Sequence, residues 1–302
     1  MDWKTKGLAI EIYPPAEFNF KECLVFLGRS DREIQHRIKD DYLCKLIKVD
    51  GELILLKIRS LSNAIQVDFP MGKPSVRILE KVVSYIWAWF DLDKPLGDFY
   101  EVVRGDQILQ PLIHKYNGLR IIGIPDLFEA LTWAIIGQQI NLTFAYTLKK
   151  RFVERFGESH RIDGETYWLF PEFSKIACVQ IDDLRELQVT VRKSEYIIDI
   201  AKAMSEGKLS KEMLMMKQDH QEIQKSLMEI RGVGAWTADY VLMKCFHDST
   251  AFPIADVGLH QALMLQLGME RKPTMEEIRE MSANWEGWQA YATFYLWRSL
   301  YE

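Results

Sequence analysis

The chain has 302 residues, of which 48% are hydrophobic and 27% charged, and its formal net charge at pH 7 is −5. These values are typical of soluble globular proteins and exclude collagen-like or wholly disordered chains, and the length predicts about two domains. Because the net charge is negative, any surface that binds nucleic acid must be local. No apolar segment reaches the roughly 20 residues that a membrane-spanning helix needs. The polar N-terminus does not resemble a signal peptide, so we expect a cytoplasmic protein without membrane contact.

The first 97 residues are predicted to form a small antiparallel sheet domain with a helix. Residues 8–13 have the composition of a strand that two prolines end. Asp50-Gly51 stands between two apolar runs and predicts a β-hairpin, because both turn positions of such a hairpin need positive φ. Residues 64–69 alternate with a period of two, as in a half-buried strand, and residues 76–90 follow helical spacing.

After a connector at residues 91–98, strand patterns nearly disappear. Residues 98–302 are therefore predicted to form an all-α domain. The predicted helices span residues 98–112, 125–156, 174–187, 193–206, 221–230, 236–246, 257–267, 274–283 and 286–301. The predicted fold class is α+β, with an N-terminal antiparallel sheet domain at residues 1–97 and a mainly α domain after it.

The cysteines are widely separated and include no Cys-x-x-Cys pair. This spacing argues against a zinc ribbon or a cysteine-ligated iron–sulfur cluster. We therefore predict reduced thiols and no metal or cofactor. The four residues are Cys23, Cys44, Cys178 and Cys245.

Two glycines with one residue between them separate two predicted helices: Gly232, Val233 and Gly234. We expect both glycines to adopt positive φ and to leave the backbone uncovered where the next helix starts, near Trp236. Backbone N–H groups at a helix N-terminus bind anions, and such a turn can hold a nucleic-acid backbone without reading its sequence. Val233 is expected to point inward and hold the two helices together. On its own, this pattern is more typical of an ordinary turn between helices.

Asp256 stands 22 residues after Gly234, at the end of a proline-containing loop and directly before a predicted helix. A carboxylate beside the C1′ atom of a sugar stabilises the positive charge that develops when an N-glycosidic bond breaks, or activates the water that captures the sugar. Asp is also favoured as the N-cap of a helix. The two roles are compatible, and the residue pattern alone leaves both open.

The pairing of Gly232-Val233-Gly234 with Pro253-Ile254-Ala255-Asp256 resembles the helix–hairpin–helix DNA glycosylase superfamily. Residues 128–131, followed by 135–139, and the final helix at 285–297 are similar to its alkylation-repair branch, the DNA-3-methyladenine glycosylase II (AlkA-type) enzymes. The resemblance covers nearly the whole chain. It implies a helix–hairpin–helix glycosylase domain at residues 98–302. It also implies a monomeric, monofunctional DNA glycosylase of base excision repair, which flips alkylated purines such as 3-methyladenine and 7-methylguanine out of double-stranded DNA and hydrolyses their N-glycosidic bonds.

The resemblance also implies roles for individual residues. Asp256 matches the catalytic aspartate, and an aromatic pocket would select cationic bases by stacking and cation–π attraction. Two positions depart from the family pattern: Gln139 stands where the DNA wedge is usually apolar, and Val257 stands where an aromatic residue often follows the aspartate. The implied pocket residues are Trp236, Tyr240 and Trp297, and the implied DNA-binding residues are Gly232, Val233, Gly234, Gln138 and Gln139.

Bifunctional members of the superfamily carry a lysine two residues after the second glycine, and that lysine forms a Schiff base with the sugar. Trp236 occupies the position here, and Lys244 lies further along the same predicted helix, out of register. The resemblance therefore implies a hydrolase without lyase activity.

Two alternatives stay open. One is an adenine or oxidised-guanine glycosylase of the same superfamily, which Phe252-Pro253-Ile254 also resembles, although the four-cysteine cluster of the adenine branch is missing. The other is a catalytically silent protein that binds damaged DNA, which would keep the glycine hairpin and would not need Asp256.

Overall fold

The computed structural model describes residues 1–217 and 219–301. Its N-terminal part is a six-stranded antiparallel sheet in the order β1-β2-β6-β5-β4-β3. Two helices, α1 (Phe20–Leu27) and α2 (Val76–Trp89), accompany this sheet. The strands are β1 (Asp2–Lys6), β2 (Ala9–Tyr13), β3 (Arg37–Lys39), β4 (Tyr42–Val49), β5 (Glu52–Ser60) and β6 (Ile65–Asp68).

The hairpin predicted at Asp50-Gly51 is present and joins β4 to β5. Both residues have positive φ, 49° at Asp50 and 82° at Gly51, as the turn chemistry requires. The sequence did not indicate β1, β3 or α1. β1 is a mostly exposed strand rich in charged residues, and α1 is only eight residues long. Neither gives a clear periodic pattern.

The remainder of the chain is mostly helical, as predicted, but some predicted helices are divided. The predicted helix at 125–156 is two helices, because Gln139 adopts a positive φ of 55° and the Asn141 side chain caps the second helix through the Phe144 N–H. The predicted helix at 98–112 is divided as well. The helices are α3 (Leu96–Val102), α4 (Leu109–Lys115), α5 (Leu127–Gly137), α6 (Leu142–Phe156), α7 (Phe173–Ile176), α8 (Ile181–Arg185), α9 (Val191–Ser205), α10 (Lys211–Met215), α11 (His220–Met228), α12 (Ala235–Cys245), α13 (Val257–Gln266), α14 (Met275–Met281) and α15 (Gln289–Arg298).

A second β-hairpin lies within this helical part, so the prediction that residues 98–302 are all-α was wrong. It consists of β7 (Glu158–Ile162) and β8 (Glu165–Leu169), joined at Asp163-Gly164. Both turn residues have positive φ, 50° and 82°. The signal was the same Asp-Gly pair that predicted the first hairpin. Here the flanking residues are largely polar, which hid the alternation.

The N-terminal part packs closely against the last helix. The Phe26 ring of α1 lies 4.4 Å from the Phe294 ring of α15, centroid to centroid, and Arg298 forms a 2.8 Å ion pair with Glu22. Another buried pair, Lys149 with Glu33 at 2.8 Å, joins α6 to the segment after α1. The chain that follows α1 is therefore held against the helical part. No helix of the described residues is both long and apolar enough to cross a bilayer.

Candidate active site

Asp256 is the N-cap of α13, and its carboxylate is held by three N–H donors. Oδ1 accepts hydrogen bonds from the Leu259 backbone N–H and from Nε1 of Trp297, both at 2.8 Å. Oδ2 accepts a 3.0 Å hydrogen bond from Nε1 of Trp236. The residue is half-buried. The capping role and the candidate active-site role therefore coexist, as the sequence allowed.

Three aromatic rings stand in a row beside this carboxylate. The ring centroids of Trp236 and Tyr240 are 5.7 Å apart, and those of Tyr240 and Trp297 are 6.1 Å apart, with interplanar angles of 31° and 35°. The Tyr240 hydroxyl accepts a 2.8 Å hydrogen bond from Nε1 of Trp133. Burial raises the pKa of Tyr240, which keeps its phenol neutral at physiological pH.

These groups line one cavity of about 380 Å³, a size within the range of roughly 300–1,000 Å³ that is common for ligand pockets. The three aromatic residues predicted for a base pocket and Asp256 are therefore brought together in one place. Other walls come from parts of the chain that the sequence did not connect with the site. No lysine of the described residues lines the cavity. The added lining residues include Phe26, Arg29, Leu142, Ala145, Gln261 and Tyr301.

The glycine hairpin joins α11 to α12 as predicted, but its two glycines differ. Gly232 has φ +92°, and a Cβ atom there would lie 2.2 Å from the ring of Tyr196. Gly234 has φ −93° and ψ −179°, so the prediction of positive φ at this position was wrong. Gly234 is exposed and occupies the N-cap position of α12, where it has no side chain to accept from the first N–H groups of the helix. A Cβ atom there would meet no atom of the described residues within 4 Å. Gly234 thus leaves open space beside the first N–H groups of α12.

Val233 points inward, as predicted, with 5% of its surface exposed. Its backbone N–H already donates a 3.0 Å hydrogen bond to the Ile230 carbonyl. Val233 therefore anchors the hairpin to the core, and the backbone that faces outward belongs to its neighbours.

The loop between α5 and α6 is fixed to this hairpin. Nε2 of Gln138 donates 2.9 Å hydrogen bonds to the Gly232 carbonyl and to Oγ1 of Thr237. Nζ of Lys193 donates to the carbonyls of Ile136, at 2.9 Å, and of Gln138, at 2.7 Å. Gln139 is exposed beside them. The amide nitrogen of Gln138 is thus occupied within the protein, whereas Gln139 is exposed to solvent.

Lys244 does not line the cavity that contains Asp256. It is 3% exposed, and its Nζ lies 5.3 Å and 4.9 Å from the ring centroids of Phe26 and Phe294. It lines a second, smaller chamber, whose lining shares Phe26, Arg29, Trp133 and Tyr240 with the cavity that contains Asp256. Burial lowers its pKa well below the usual lysine range.

Among the residues that the structure describes, no group of three or more His, Cys, Asp or Glu side chains is arranged so that it could hold a metal ion. The cysteines of this part are all free thiols. Among the described residues that line the cavity, only Asp256 and Arg29 carry a formal charge.

Residues 132–288 match the family model described as HhH-GPD superfamily base excision DNA repair protein. The chain belongs to this superfamily. The matched range contains Asp256, the glycine hairpin and the Gln138–Gln139 loop. Residues 12–131 match a second model, described as the N-terminal domain of 8-oxoguanine DNA glycosylase. The predicted superfamily and the α+β fold class are both confirmed.

Individual known proteins resemble the chain over 95% or more of its length. It is 45% identical over 304 residues to a Bacillus subtilis protein named DNA-3-methyladenine glycosylase, and the match covers 100% of both chains. The solved structure of a 3-methyladenine DNA-glycosylase from Archaeoglobus fulgidus has a TM-score of 0.80 at 24% identity, covering 95% of this chain and 97% of that one. A Clostridium acetobutylicum 8-oxoguanine glycosylase/lyase, solved with double-stranded DNA, has a TM-score of 0.75 at 17% identity, covering 99% and 97%. Both structures share the fold of this protein.

Proposed function

We propose that this HhH-GPD protein is a monofunctional DNA glycosylase that removes alkylated purines, of the 3-methyladenine and 7-methylguanine type, from double-stranded DNA. The observation that carries the proposal is the carboxylate of Asp256, held by two indole N–H groups at the edge of an aromatic cavity. The name of the Bacillus subtilis relative supports the same substrate class.

In this mechanism, the target base is turned out of the duplex and stacks against the row formed by Trp236, Tyr240 and Trp297. An alkylated base carries positive charge and is attracted to electron-rich rings. The C1′–N bond breaks, its electron pair stays with the base, and the base leaves as a neutral molecule. The sugar becomes cationic at C1′, next to the negative charge of Asp256. Water then adds its oxygen to C1′ and passes a proton to the Asp256 carboxylate, which leaves an abasic sugar with a hydroxyl group; the carboxylate later returns the proton to solvent.

The indole N–H groups orient this carboxylate. Oδ1 already accepts two hydrogen bonds, from Leu259 and Trp297, whereas Oδ2 accepts one, from Trp236. A carboxylate oxygen has about two lone-pair positions, so Oδ2 keeps capacity to face C1′ or the attacking water. The three donors fix the orientation of the group before substrate arrives, which is the condition for efficient electrostatic stabilisation.

DNA binding is assigned to the glycine hairpin and the adjoining loop. The extended backbone at Gly234 and the start of α12, where no side chain accepts from the first N–H groups, would receive a phosphate of the DNA backbone, while Gly232 and Val233 keep the turn in shape. Gln139 would fill the space that the flipped base leaves. Gln138 contributes by fixing that loop to the hairpin.

The absence of lyase activity is part of the proposal. A β-lyase of this type needs a lysine that reaches C1′. The described lining of the cavity contains no lysine, and Lys244 lines the second chamber instead. We further propose that the enzyme acts as a monomer and without a cofactor.

An 8-oxoguanine glycosylase is the second candidate, and the match of residues 12–131 to the N-terminal model of that family favours it. The test is release of free bases from methylated duplex DNA, compared with a duplex that contains 8-oxoguanine, under single-turnover conditions. We expect methylated purines to be released and 8-oxoguanine to be retained. The opposite pattern would replace the proposed substrate class with the second candidate.

A matched pair of variants tests the role of the carboxylate. Asp256→Asn keeps a side chain that caps α13 and removes the charge, so base release should fall by at least about 100-fold with DNA binding retained. Asp126→Asn is the control, because Asp126 caps α5 in the same way, through the Glu129 N–H at 2.7 Å, and does not line the cavity. Wild-type rates in the Asp256 variant would remove this residue from the mechanism. If the wild-type protein binds the methylated duplex but releases no base, the silent-binder alternative holds.

A further inference from the structure

One cation of the described residues faces the base cavity, and it comes from the N-terminal part of the chain. Arg29 follows α1, and packing of α1 on α15 brings it to the cavity wall. Its guanidinium carbon lies 3.9 Å from the ring centroid of Phe26 and 5.5 Å from that of Tyr146. Nη1 donates a 2.7 Å hydrogen bond to the Phe26 carbonyl. These contacts hold the group at a defined position.

Most of the hydrogen-bonding capacity of this side chain is unused. A guanidinium has five N–H donors, and Arg29 forms one side-chain hydrogen bond and no salt bridge with the residues that the structure describes. Arg120 provides the contrast within the same chain, because it is fully buried and its guanidinium is engaged by Asp91, Lys94 and Glu17. Arg29 is half-buried and lines both the base cavity and the second chamber. Its other N–H donors have no partner among the described residues and are available to a bound base.

Arg29 and Asp256 face the cavity from different elements and form no ion pair with each other. The phenols of Tyr240 and Tyr301 lie within electrostatic range of both charged groups. A base that occupies the cavity must place its glycosidic nitrogen towards Asp256, because C1′ is attached there. The C6 substituent of a purine lies on the other side of the ring system, away from the sugar, and so points towards the remaining cavity wall.

We infer that Arg29 is a specificity-determining residue, which donates a hydrogen bond to the C6 oxygen of a flipped 6-oxopurine. This inference rests on the proposed function and narrows its substrate class. Guanine derivatives present an acceptor at C6, whereas adenine derivatives present an amino donor. A guanidinium donates a hydrogen bond to the C6 oxygen of a guanine derivative. It makes no such bond with the C6 amino group of an adenine derivative, because both groups are donors. The enzyme therefore favours 7-methylguanine relative to 3-methyladenine by more than stacking and charge alone would give, since both lesions are cationic.

The test uses one DNA duplex methylated so that it contains both lesions, and measures release of each base by chromatography in the same reaction. In Arg29→Met, release of 7-methylguanine should fall by about tenfold or more, the usual scale for losing a hydrogen bond to a charged group. Release of 3-methyladenine should stay the same or rise. Arg32→Met is the matched control. Arg32 lies three residues further on and binds Thr143 and Thr147 of α6 outside the cavity, so the ratio of the two bases should not change.

Arg29→Lys tests the same point without removing the charge. Lysine presents a point charge in place of a planar fork. The ratio of 7-methylguanine to 3-methyladenine released should therefore lie between the values for wild type and Arg29→Met. An unchanged ratio in both Arg29 variants overturns the inference, and so does an equal loss of both bases, which would indicate a structural role. Failure of the wild-type enzyme to release either base would instead refute the proposed function.

Discussion

Nε1 of Trp297 donates a 2.8 Å hydrogen bond to Oδ1 of Asp256, the same oxygen that caps α13. The indole therefore has two functions in the proposed mechanism. Its face forms one end of the aromatic row, and its edge orients the carboxylate. The sequence suggested the first function only, through resemblance, and the two can be separated by substitution.

Trp297→Phe keeps an aromatic face and removes the N–H donor. We expect it to reduce the rate of base release for all lesions by a similar factor, because the carboxylate loses one of its three donors. Trp297→Ala also removes the stacking surface. It should raise the activation free energy of base release by a further 1–3 kcal/mol, roughly the value of stacking on one base. Single-turnover rates for both variants measure this difference.

The alternative, a core role for Trp297, predicts a loss of about 3–5 kcal/mol in the free energy of unfolding for Trp297→Ala. A variant with a much lower melting temperature but a normal rate when folded would support that alternative.

Borohydride should not trap this enzyme on DNA. The reagent reduces a Schiff base between a lysine and C1′, and no lysine of the described residues lines the cavity. The assay compares the wild-type protein with an 8-oxoguanine glycosylase/lyase as the positive control, on duplexes that contain each enzyme's own lesion. A covalent adduct would contradict the prediction. Repeating the assay with Lys244→Ala would then show whether the buried lysine is the amine responsible.

Gly234→Val should weaken binding to undamaged and damaged duplexes by a similar factor. The extended backbone at Gly234 accepts a branched residue, and its surroundings are open, so the melting temperature should stay close to that of wild type. The added methyl groups would stand where the proposed phosphate approaches α12. Titration of labelled duplexes at two salt concentrations measures the loss. A shift in lesion preference at constant affinity would show that the hairpin does not clamp the backbone.

Gly232→Ala provides the contrast to that variant. Here a Cβ would lie 2.2 Å from the Tyr196 ring, and φ is +92°. We expect a loss of stability, measured as a fall in the midpoint of urea unfolding, because both the contact and the backbone geometry are unfavourable. The double variant Gly232→Ala/Tyr196→Ala should recover part of the loss, the part due to the collision. No recovery would assign the whole effect to the backbone.

Lys193→Met should impair the Gln138–Gln139 loop. Lys193 is the donor to two carbonyls at the end of α5, those of Ile136 and Gln138, and methionine fills similar space without a donor. We expect slower base release with little change in affinity for undamaged DNA, because the hairpin keeps its own structure. Lys202→Met, on the same helix and outside the cavity and loop contacts, is the control. Equal rates in the Lys193 variant and wild type would show that the loop needs no such support.

The sequence by itself determined several local structures, namely turns and a helix cap. The Asp50-Gly51 turn, the positive φ of Gly232 and the capping position of Asp256 each depend on a few neighbouring residues, so their residue types predict their structure. The same logic would have found Asp163-Gly164, whose flanking polar residues concealed it. Resemblance predicted Trp236, Tyr240 and Trp297 as pocket residues, and in the structure they stand in a row along one wall of the cavity.

Only the tertiary structure decided what surrounds that wall. Arg29 is more than two hundred residues from Asp256 in the chain, and it reaches the cavity because α1 packs on α15. The hydrogen bond between Trp297 and Asp256 likewise depends on how distant helices meet rather than on local preference. Local turns are set by the conformational limits of a few residues. Contacts between distant segments are set by the packing of the whole core, which no short pattern encodes.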